Sequence, residues 1–218
     1  MNRPAVVSAR EWQAAREALL VREKEQTRAL DALAAERRRL PMTPLDTSKY
    51  RFTGPDGSEV GLTGLFDDHR QLVICHFMLQ PGQDWLCGGC CSLTDNLAQG
   101  QWHLNARDTR LILMARAPQD EFEALRRRFG WTLPYYSSGD STFNDDLGLQ
   151  NFGLSVLLRD EDEVFRTYFT TARGVDRLRT DFNLLDLTPY GRQEAWEVSP
   201  AGWPQDPTMS WIRLHDEY

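Results

Sequence analysis

An α/β fold built on a parallel sheet is what this sequence predicts, and three observations predict it. Two apolar runs rich in β-branched residues, QLVICHFML (Gln71–Leu79) and TRLILM (Thr109–Met114), read as strands buried on both faces, the habit of parallel strands. Each is followed by a helical segment, Ser92–Gly100 after the first and Pro118–Phe129 after the second. Two later apolar runs, Leu154–Leu158 and Val164–Thr170, flank the charged stretch Arg159-Asp160-Glu161-Asp162-Glu163 and give a hairpin.

The elements follow in order. Ser8–Leu40 is one long polar helix: Ser8 and Glu11 have capping-box spacing, and Pro41 stops it. Trp12, Leu19, Leu33 and Leu40 fall at multiples of seven, but Gln26 interrupts the row. So thin a stripe suits a helix laid across a domain or a partner better than a free coiled coil. Pro41–Tyr50 (PMTPLDTSKY) reads as a linker. Tyr50–Val60 is a hairpin turning through Gly54-Pro55-Asp56-Gly57, and Leu62–Phe66 is a helical turn. The strand from Gln71 is broken by PGQDWL (Pro81–Leu86). Pro118–Phe129 is amphipathic, with Pro118 at its first turn and Gly130 closing it. Thr132–Tyr136 is a further short strand, Ser137–Gln150 an acidic loop and Gly174–Leu187 a helix. The tail, with Trp196, Trp203 and Trp211, has no period and wraps over the core. The expected organisation is therefore 1–45 as helix and linker, 46–190 as the α/β domain, and 191–218 as an extension packing on it.

Composition narrows the function. The 218 residues are 41% hydrophobic and 26% charged, as in ordinary globular proteins. A net charge of −7 argues against a general nucleic-acid binder, and the runs Arg37-Arg38-Arg39 and Arg126-Arg127-Arg128 read as solvated helix faces. No stretch approaches a membrane span, and MNRPAVVSAREWQ has no apolar leader core, so the expected location is the cytoplasm, with no membrane partner. In that reducing compartment a Cys-x-x-Cys is redox-active or metal-binding rather than a structural staple.

Cys87-Gly88-Gly89-Cys90 lies just beyond the first buried strand, at the start of the following helix. Amide groups and the dipole at that helix end favour a thiolate, which makes Cys87 the attacking thiol and Cys90 its resolving partner. Cys91 is expected to pack inward, and Cys75, inside a strand, to be an inert core residue. The order βαβα then ββα, with the cysteines between first strand and first helix, is the thioredoxin plan; the hairpin at Tyr50–Val60 is a peroxiredoxin-type addition. Three departures qualify it. Gly88-Gly89 give the loop flexibility, and Trp85 is displaced from the motif by Leu86. No proline lies between Pro134 and Pro189 to supply the cis-proline opposite the cysteines. Pro81 stands six positions before Cys87 with Asp84 in between, which does not fit the Pro-x-x-x-Thr-x-x-Cys pattern of peroxiredoxins.

Other chemistry reads more weakly. Cys87, Cys90 and Cys91 with His76 or His103 could offer soft ligands to zinc or copper, but there is no second Cys-x-x-Cys and no paired His-x-x-x-His. Arg173 is placed by the fold plan near the cysteines, as a charge partner or a surface ion pair. No glycine-rich phosphate loop follows a strand.

The stretches YRFTGPDG, LVICHFM, the cysteine pair followed by Asp95-Asn96, HLNARD, ARAP, FGW, TYFTTARGVD, LLDLTP and HDEY run from Tyr50 to the end. With them the chain resembles the thioredoxin-like bacterial family catalogued as domain of unknown function 899. The resemblance implies a thioredoxin fold related to peroxide-reducing proteins. The expectation is thus a thiol–disulfide oxidoreductase using Cys87 and Cys90, without cofactor or metal. Its partner would be a protein or small-molecule thiol or disulfide, and self-association would run through the N-terminal helix. The alternative is a non-catalytic binding module, or a zinc- or copper-binding protein using the same cysteines.

Overall fold

A computed structural model describes residues 3–97 and 100–218, in two compact units. The first contains residues 3–41 and Ser199–Trp203. Its main element is α1 (Ala9–Arg37), started by the capping box: Ser8 Oγ accepts from the Glu11 N–H at 3.3 Å, and the Glu11 carboxylate accepts from the Ser8 N–H at 2.9 Å. No residue of α1 is buried; Trp12, Leu19 and Leu33 are all exposed.

The second unit, 42–198 with 204–218, is an eight-stranded sheet. Its strands are β1 (Thr43–Leu45), β2 (Arg51–Thr53), β3 (Glu59–Gly61), β4 (Gln71–His76), β5 (Thr109–Ala115), β6 (Tyr135–Ser137), β7 (Gly153–Asp160) and β8 (Glu163–Thr170). They lie in the order β1-β8-β7-β4-β5-β6-β2-β3. β4, β5 and β6 are parallel; β7 runs antiparallel to β4, β8 pairs antiparallel with β7 and so returns to the direction of β4, and β2–β3 is a hairpin added beside β6. The helices are α2 (Gly88–Leu97), α3 (Gln101–Asn105), α4 (Gln119–Phe129), α5 (Phe143–Asp146) and α6 (Thr180–Leu185). With α2 following β4 and α4 following β5, this is the thioredoxin plan that the element order predicts, with the front hairpin and a tryptophan-rich C-terminal extension. The end of the expected Ser92–Gly100 helix, at 98 and 99, lies outside the described residues.

Burial on both faces explains the central strands. Leu72, Ile74, Ile112 and Met114 point into one core with Phe66, Leu157 and Val164; Cys75, Leu111, Leu113 and Ala115 point into the other with Phe77, Phe122 and Leu133. On the second face Phe122 of α4 stacks flat on Tyr135, with ring centroids 3.8 Å apart. α4 ends at Gly130, whose φ of +66° is the left-handed cap that glycine adopts without cost.

Three segments differ from the sequence-based expectation. The expected linker contains β1, which pairs antiparallel with β8, Leu45 opposite Val164. Pro44 is tolerated because β1 is an edge strand, where a missing N–H breaks no ladder. The acidic loop 137–150 contains α5: Phe143 is fully buried, edge-on to Tyr50 and Phe52 at 5.1 and 5.2 Å, while Asp146 pairs with Lys49 at 2.7 Å. The expected helix at 174–187 is instead a 3-10 segment, Ala172–Leu178, and the short α6, separated by the extended backbone of Arg179 (φ −98°, ψ 109°).

Candidate active site

Cys87 immediately precedes α2, and its carbonyl accepts the first helical hydrogen bond, from Cys91 N–H at 3.0 Å. That makes it the N-cap residue. Its Sγ accepts from the Cys90 N–H at 3.3 Å, the role a serine or aspartate oxygen usually fills at this position. The thiol is half-buried, whereas Cys90 and Cys91 are buried; all four cysteines are free.

The environment splits the two thiols. The Cys90 thiol beside it pulls Cys87 down from the usual 9.0 to about 6, aided by the Cys90 and Gly89 N–H groups and opposed by partial burial. Cys90 is driven strongly upward, first by its hydrogen bond with Cys87 and then by burial. Burial, with the charge of Asp95, pushes Cys91 up to about 12, and burial alone does the same to Cys75. One cysteine is therefore poised as a thiolate at neutral pH and three are held as thiols.

The glycines between them have a structural reason that flexibility does not describe. Neither has a positive φ. A Cβ on Gly88 would stand 3.3 Å from the Ile212 carbonyl oxygen, and one on Gly89 would stand 3.3 Å from Met209 Cε. The C-terminal segment crosses the start of α2 closely enough that a Cβ at Gly88 would press on backbone, whereas one at Gly89 would meet only the flexible end of a methionine.

Cys87 opens onto a cavity of about 450 Å³ that Gly89, Cys90, Leu93, Phe152, Arg173, Val175, Phe182, Trp196 and Met209 help to line. Phe152 directly precedes β7, in the region where the sequence lacks the proline of thioredoxins; among the described residues there is no cis peptide. The wall is a ladder of alternating guanidinium and aromatic planes. Arg179 lies 3.5 Å from the Phe182 ring centroid, Arg192 lies 4.0 Å from Phe182 and 5.5 Å from Trp196, and Arg173 lies 3.8 Å from Trp196.

Carboxylates hold the ladder. Arg192, nearly buried, is bidentate to Asp186 at 2.9 and 2.8 Å and reaches Asp176 at 3.0 Å. Arg179, buried, donates to Asp181 at 2.7 Å and to Ser92 Oγ of α2 at 2.5 Å, while Asn96 Oδ1 accepts from the Asp181 N–H at 3.2 Å. These bonds fix the cysteine helix to the 172–186 segment. Glu194, also buried, receives Trp196 Nε1 at 2.5 Å, Trp211 Nε1 at 2.8 Å and the Met209 N–H at 2.8 Å. Burial raises its pKa, but those three donors outweigh burial and hold it below the usual value.

The structure brings Cys87 and Cys90 together and sets Arg173 on the same cavity, where it pairs with Asp176 at 3.4 Å. It separates the rest. His76 is on the opposite sheet face from Cys75, beside Phe143, with Nε2 2.9 Å from Ser155 Oγ. Burial, with the charge of Arg166, lowers its pKa to about 3. His103 is exposed on α3, as is Trp85 on its loop. Among the described residues no three histidine, cysteine, aspartate or glutamate side chains converge as metal ligands. No helix among them is long and apolar enough to cross a membrane. Sequence reasoning did not find Phe152, Arg179, Arg192, Glu194 or Met209. The tail tryptophans were the one available signal, and two of them meet at Glu194.

Fold and site together define a thioredoxin-fold protein with a helix-capping cysteine pair beside an aromatic cavity. The chain belongs to the bacterial family of proteins of unknown function designated DUF899, whose pattern matches residues 1–218. No curated protein matches it. Solved structures similar to it include a cysteine-to-serine variant of Xanthomonas campestris peroxiredoxin Q (14% identity, 67% of this chain and 97% of that chain, TM-score 0.46). Another such variant, of Xylella fastidiosa PrxQ, has 12% identity over 67% of this chain and 97% of its own, with a TM-score of 0.45. The exposed lipoprotein thioredoxin of Streptococcus pneumoniae has 10% identity over 56% of this chain and 88% of its own, with a TM-score of 0.43.

Proposed function

We propose that the protein is a thiol–disulfide oxidoreductase in which Cys87 attacks and Cys90 resolves. The Cys87 thiolate attacks one sulfur of a disulfide, forming a mixed disulfide and expelling the other sulfur as a thiolate. Cys90 then gives up its proton and attacks Cys87 Sγ, closing the Cys87–Cys90 bond and releasing the second thiolate. The two electrons come from the protein's dithiol.

The observation that carries this reading is the asymmetry of the pair. A half-buried Cys87 caps α2, its Sγ 3.3 Å from the Cys90 N–H, with its pKa near 6, while Cys90 beside it is held protonated. The partner is a protein or small-molecule thiol or disulfide. Residues 46–190 form the redox domain in this reading, with Arg192, Glu194, Trp196, Thr208 and Met209 of the 191–218 extension completing the wall of its site and α1 serving self-association. The test is intact-mass analysis across a graded thiol/disulfide buffer. A reversible loss of two mass units that disappears in Cys87→Ser and in Cys90→Ser is expected; a pair that never closes at any potential refutes the assignment.

A further inference from the structure

The cavity wall says more than that a disulfide is reduced. Its planes alternate in the order Arg179, Phe182, Arg192, Trp196, Arg173, and the charges along it are unequally satisfied. Arg179 has Asp181 to itself, and Arg192 has both Asp186 oxygens and a share of Asp176. Arg173, at the exposed end with 67% of its side chain in solvent, has only a 3.4 Å share of the same Asp176 through Nε. Neither of its Nη groups donates to a protein acceptor among the described residues. One guanidinium edge is therefore left for an anion from outside, at the end of an aromatic stack and on the cavity that Cys87 enters. Two carboxylates also line the cavity, Asp176 and Glu194, and both are already engaged, the first by Arg192 and Arg173 and the second by Trp196, Trp211 and the Met209 N–H. Beyond them and Thr208 the remaining wall, with Phe152, Leu93, Val175 and Met209, is apolar. A volume near 450 Å³ is that of a small-molecule site.

We propose that this cavity is the substrate pocket for a small aryl disulfide bearing a carboxylate or comparable anion, with its ring against Trp196 and Phe152 and its anion on Arg173. The inference deepens the redox reading and rests on it. Cys87 Sγ attacks the nearer sulfur, the Cys87–aryl disulfide forms, and one aryl thiolate leaves. Cys90 attacks Cys87 Sγ, and the second aryl thiolate leaves while the protein disulfide forms. Aryl thiolates are good leaving groups because their parent thiols are acidic. A charged, flexible disulfide such as that of glutathione fits the apolar wall poorly.

Binding and chemistry are tested separately. The binding probe is 4-(phenylsulfanyl)benzoate, a carboxylate-bearing thioether that cannot exchange, titrated into Cys87→Ser protein by tryptophan fluorescence and calorimetry. Saturable binding is expected. Arg173→Gln should weaken it about ten-fold, the loss of a hydrogen bond to a charged group at a partly exposed site. Trp196→Ala should weaken it about five-fold. The uncharged diphenyl sulfide should bind equally to the Arg173→Gln and parent proteins. Because Arg173 is largely exposed, its variant leaves the core intact, and the uncharged sulfide reports any change in the Trp196 wall on which Arg173 stacks. No saturable binding, or binding indifferent to both substitutions, overturns the pocket.

In the second arm, reduced wild-type protein is mixed with dithiobis(nitrobenzoate) and with glutathione disulfide. Each rate is divided by that of dithiothreitol with the same compound, to remove intrinsic reactivity. An aryl preference that falls in Arg173→Gln is expected. If the thioether binds as described but neither disulfide is reduced, the redox reading fails and the pocket stands. If both are reduced with equal normalised rates and the thioether does not bind, the pocket falls and the redox reading stands.

Discussion

Replacing Cys90 by alanine separates two sources of the Cys87 thiolate. The substitution removes the Cys90 thiol, the largest influence holding Cys87 near 6, and leaves the backbone N–H that lies 3.3 Å from Cys87 Sγ. A hydrogen bond to a charged group contributes about 1.5–3 kcal/mol, and one pH unit corresponds to about 1.4 kcal/mol. Cys87 is half-exposed and water replaces part of the lost bond, so the lower end applies: the apparent pKa rises by about one pH unit, to about 7. It stays below the usual 9.0 because the helix-end N–H groups remain. The measurement is the ultraviolet absorbance of the thiolate against pH. Cys75 and Cys91, pushed up to about 12, are silent in this window, so the curve belongs to Cys87. At pH 6 the thiolate fraction should fall from about one half to about one tenth. Alkylation rates would show less, because a more basic thiolate is intrinsically about three-fold more nucleophilic per pH unit. A curve that does not move in Cys90→Ala refutes the role of the Cys90 thiol and leaves the helix end alone responsible. A wild-type inflection at about 8.5 or above refutes activation altogether.

Arg179→Met should destabilise the protein by about 1.5–3 kcal/mol in urea unfolding, because Ser92 loses its donor and Asp181, one-third exposed (33%), keeps the hydroxyl of Ser92 at 3.4 Å; adding Asp181→Asn should recover part of the loss, and no recovery would mean the pair is not the cause. Phe122→Ala should cost about 3–5 kcal/mol by the same assay, through a cavity against Tyr135 and Phe77; a cost below about 1 kcal/mol would show that the core collapses around it. His76 has a pKa near 3 in the fold against 6.5 ordinarily, so below pH 6.5 the unfolded chain takes up a proton that the folded chain refuses. Its stabilising contribution is complete above pH 6.5 and declines by up to about 1.4 kcal/mol per pH unit as pH falls toward 3, a slope that His76→Gln should flatten. Gly88→Ala should destabilise and Gly89→Ala should not: the first Cβ meets the backbone carbonyl of Ile212, the second only the flexible end of Met209, while the higher helix propensity of alanine favours both by about 1 kcal/mol. Equal effects in thermal melts would show that the tail does not constrain the motif.

The parts of the fold that the sequence discloses are those whose pattern is local. β4 and β5 are continuous apolar runs because both faces are buried, and α4 carries its own start and stop in Pro118 and Gly130. β1 was hidden because Pro44 marks a break within its own segment, and its reason for being a strand lies in β8, about 120 residues away. α5 was hidden because one buried ring, Phe143, outweighs an otherwise polar loop. The site divides the same way. Cys87 and Cys90 are legible because their chemistry depends on a three-residue spacing and the helix between them. Phe152, Arg179, Arg192 and Glu194 are not, because each acquires its role from partners in other segments, and a single arginine or phenylalanine has no pattern.

The glycine pair shows what such long-range partners do to a short motif. Read locally, Gly88-Gly89 is a flexible spacer. In the fold both residues are ordinary helical positions, and what they permit is the close passage of the C-terminal segment at Met209 and Ile212. That segment is itself held by Glu194, which takes the Met209 N–H and the Trp196 and Trp211 indoles. The carboxylate that fixes the ladder's Trp196 thus also fixes the strand of chain lying over the cysteines. Access to Cys87 and the geometry of the aromatic wall are then set by one buried group, so on the proposed redox reading altering the tail should change which disulfides are accepted before it changes the acidity of Cys87, whose controlling donors all lie within α2.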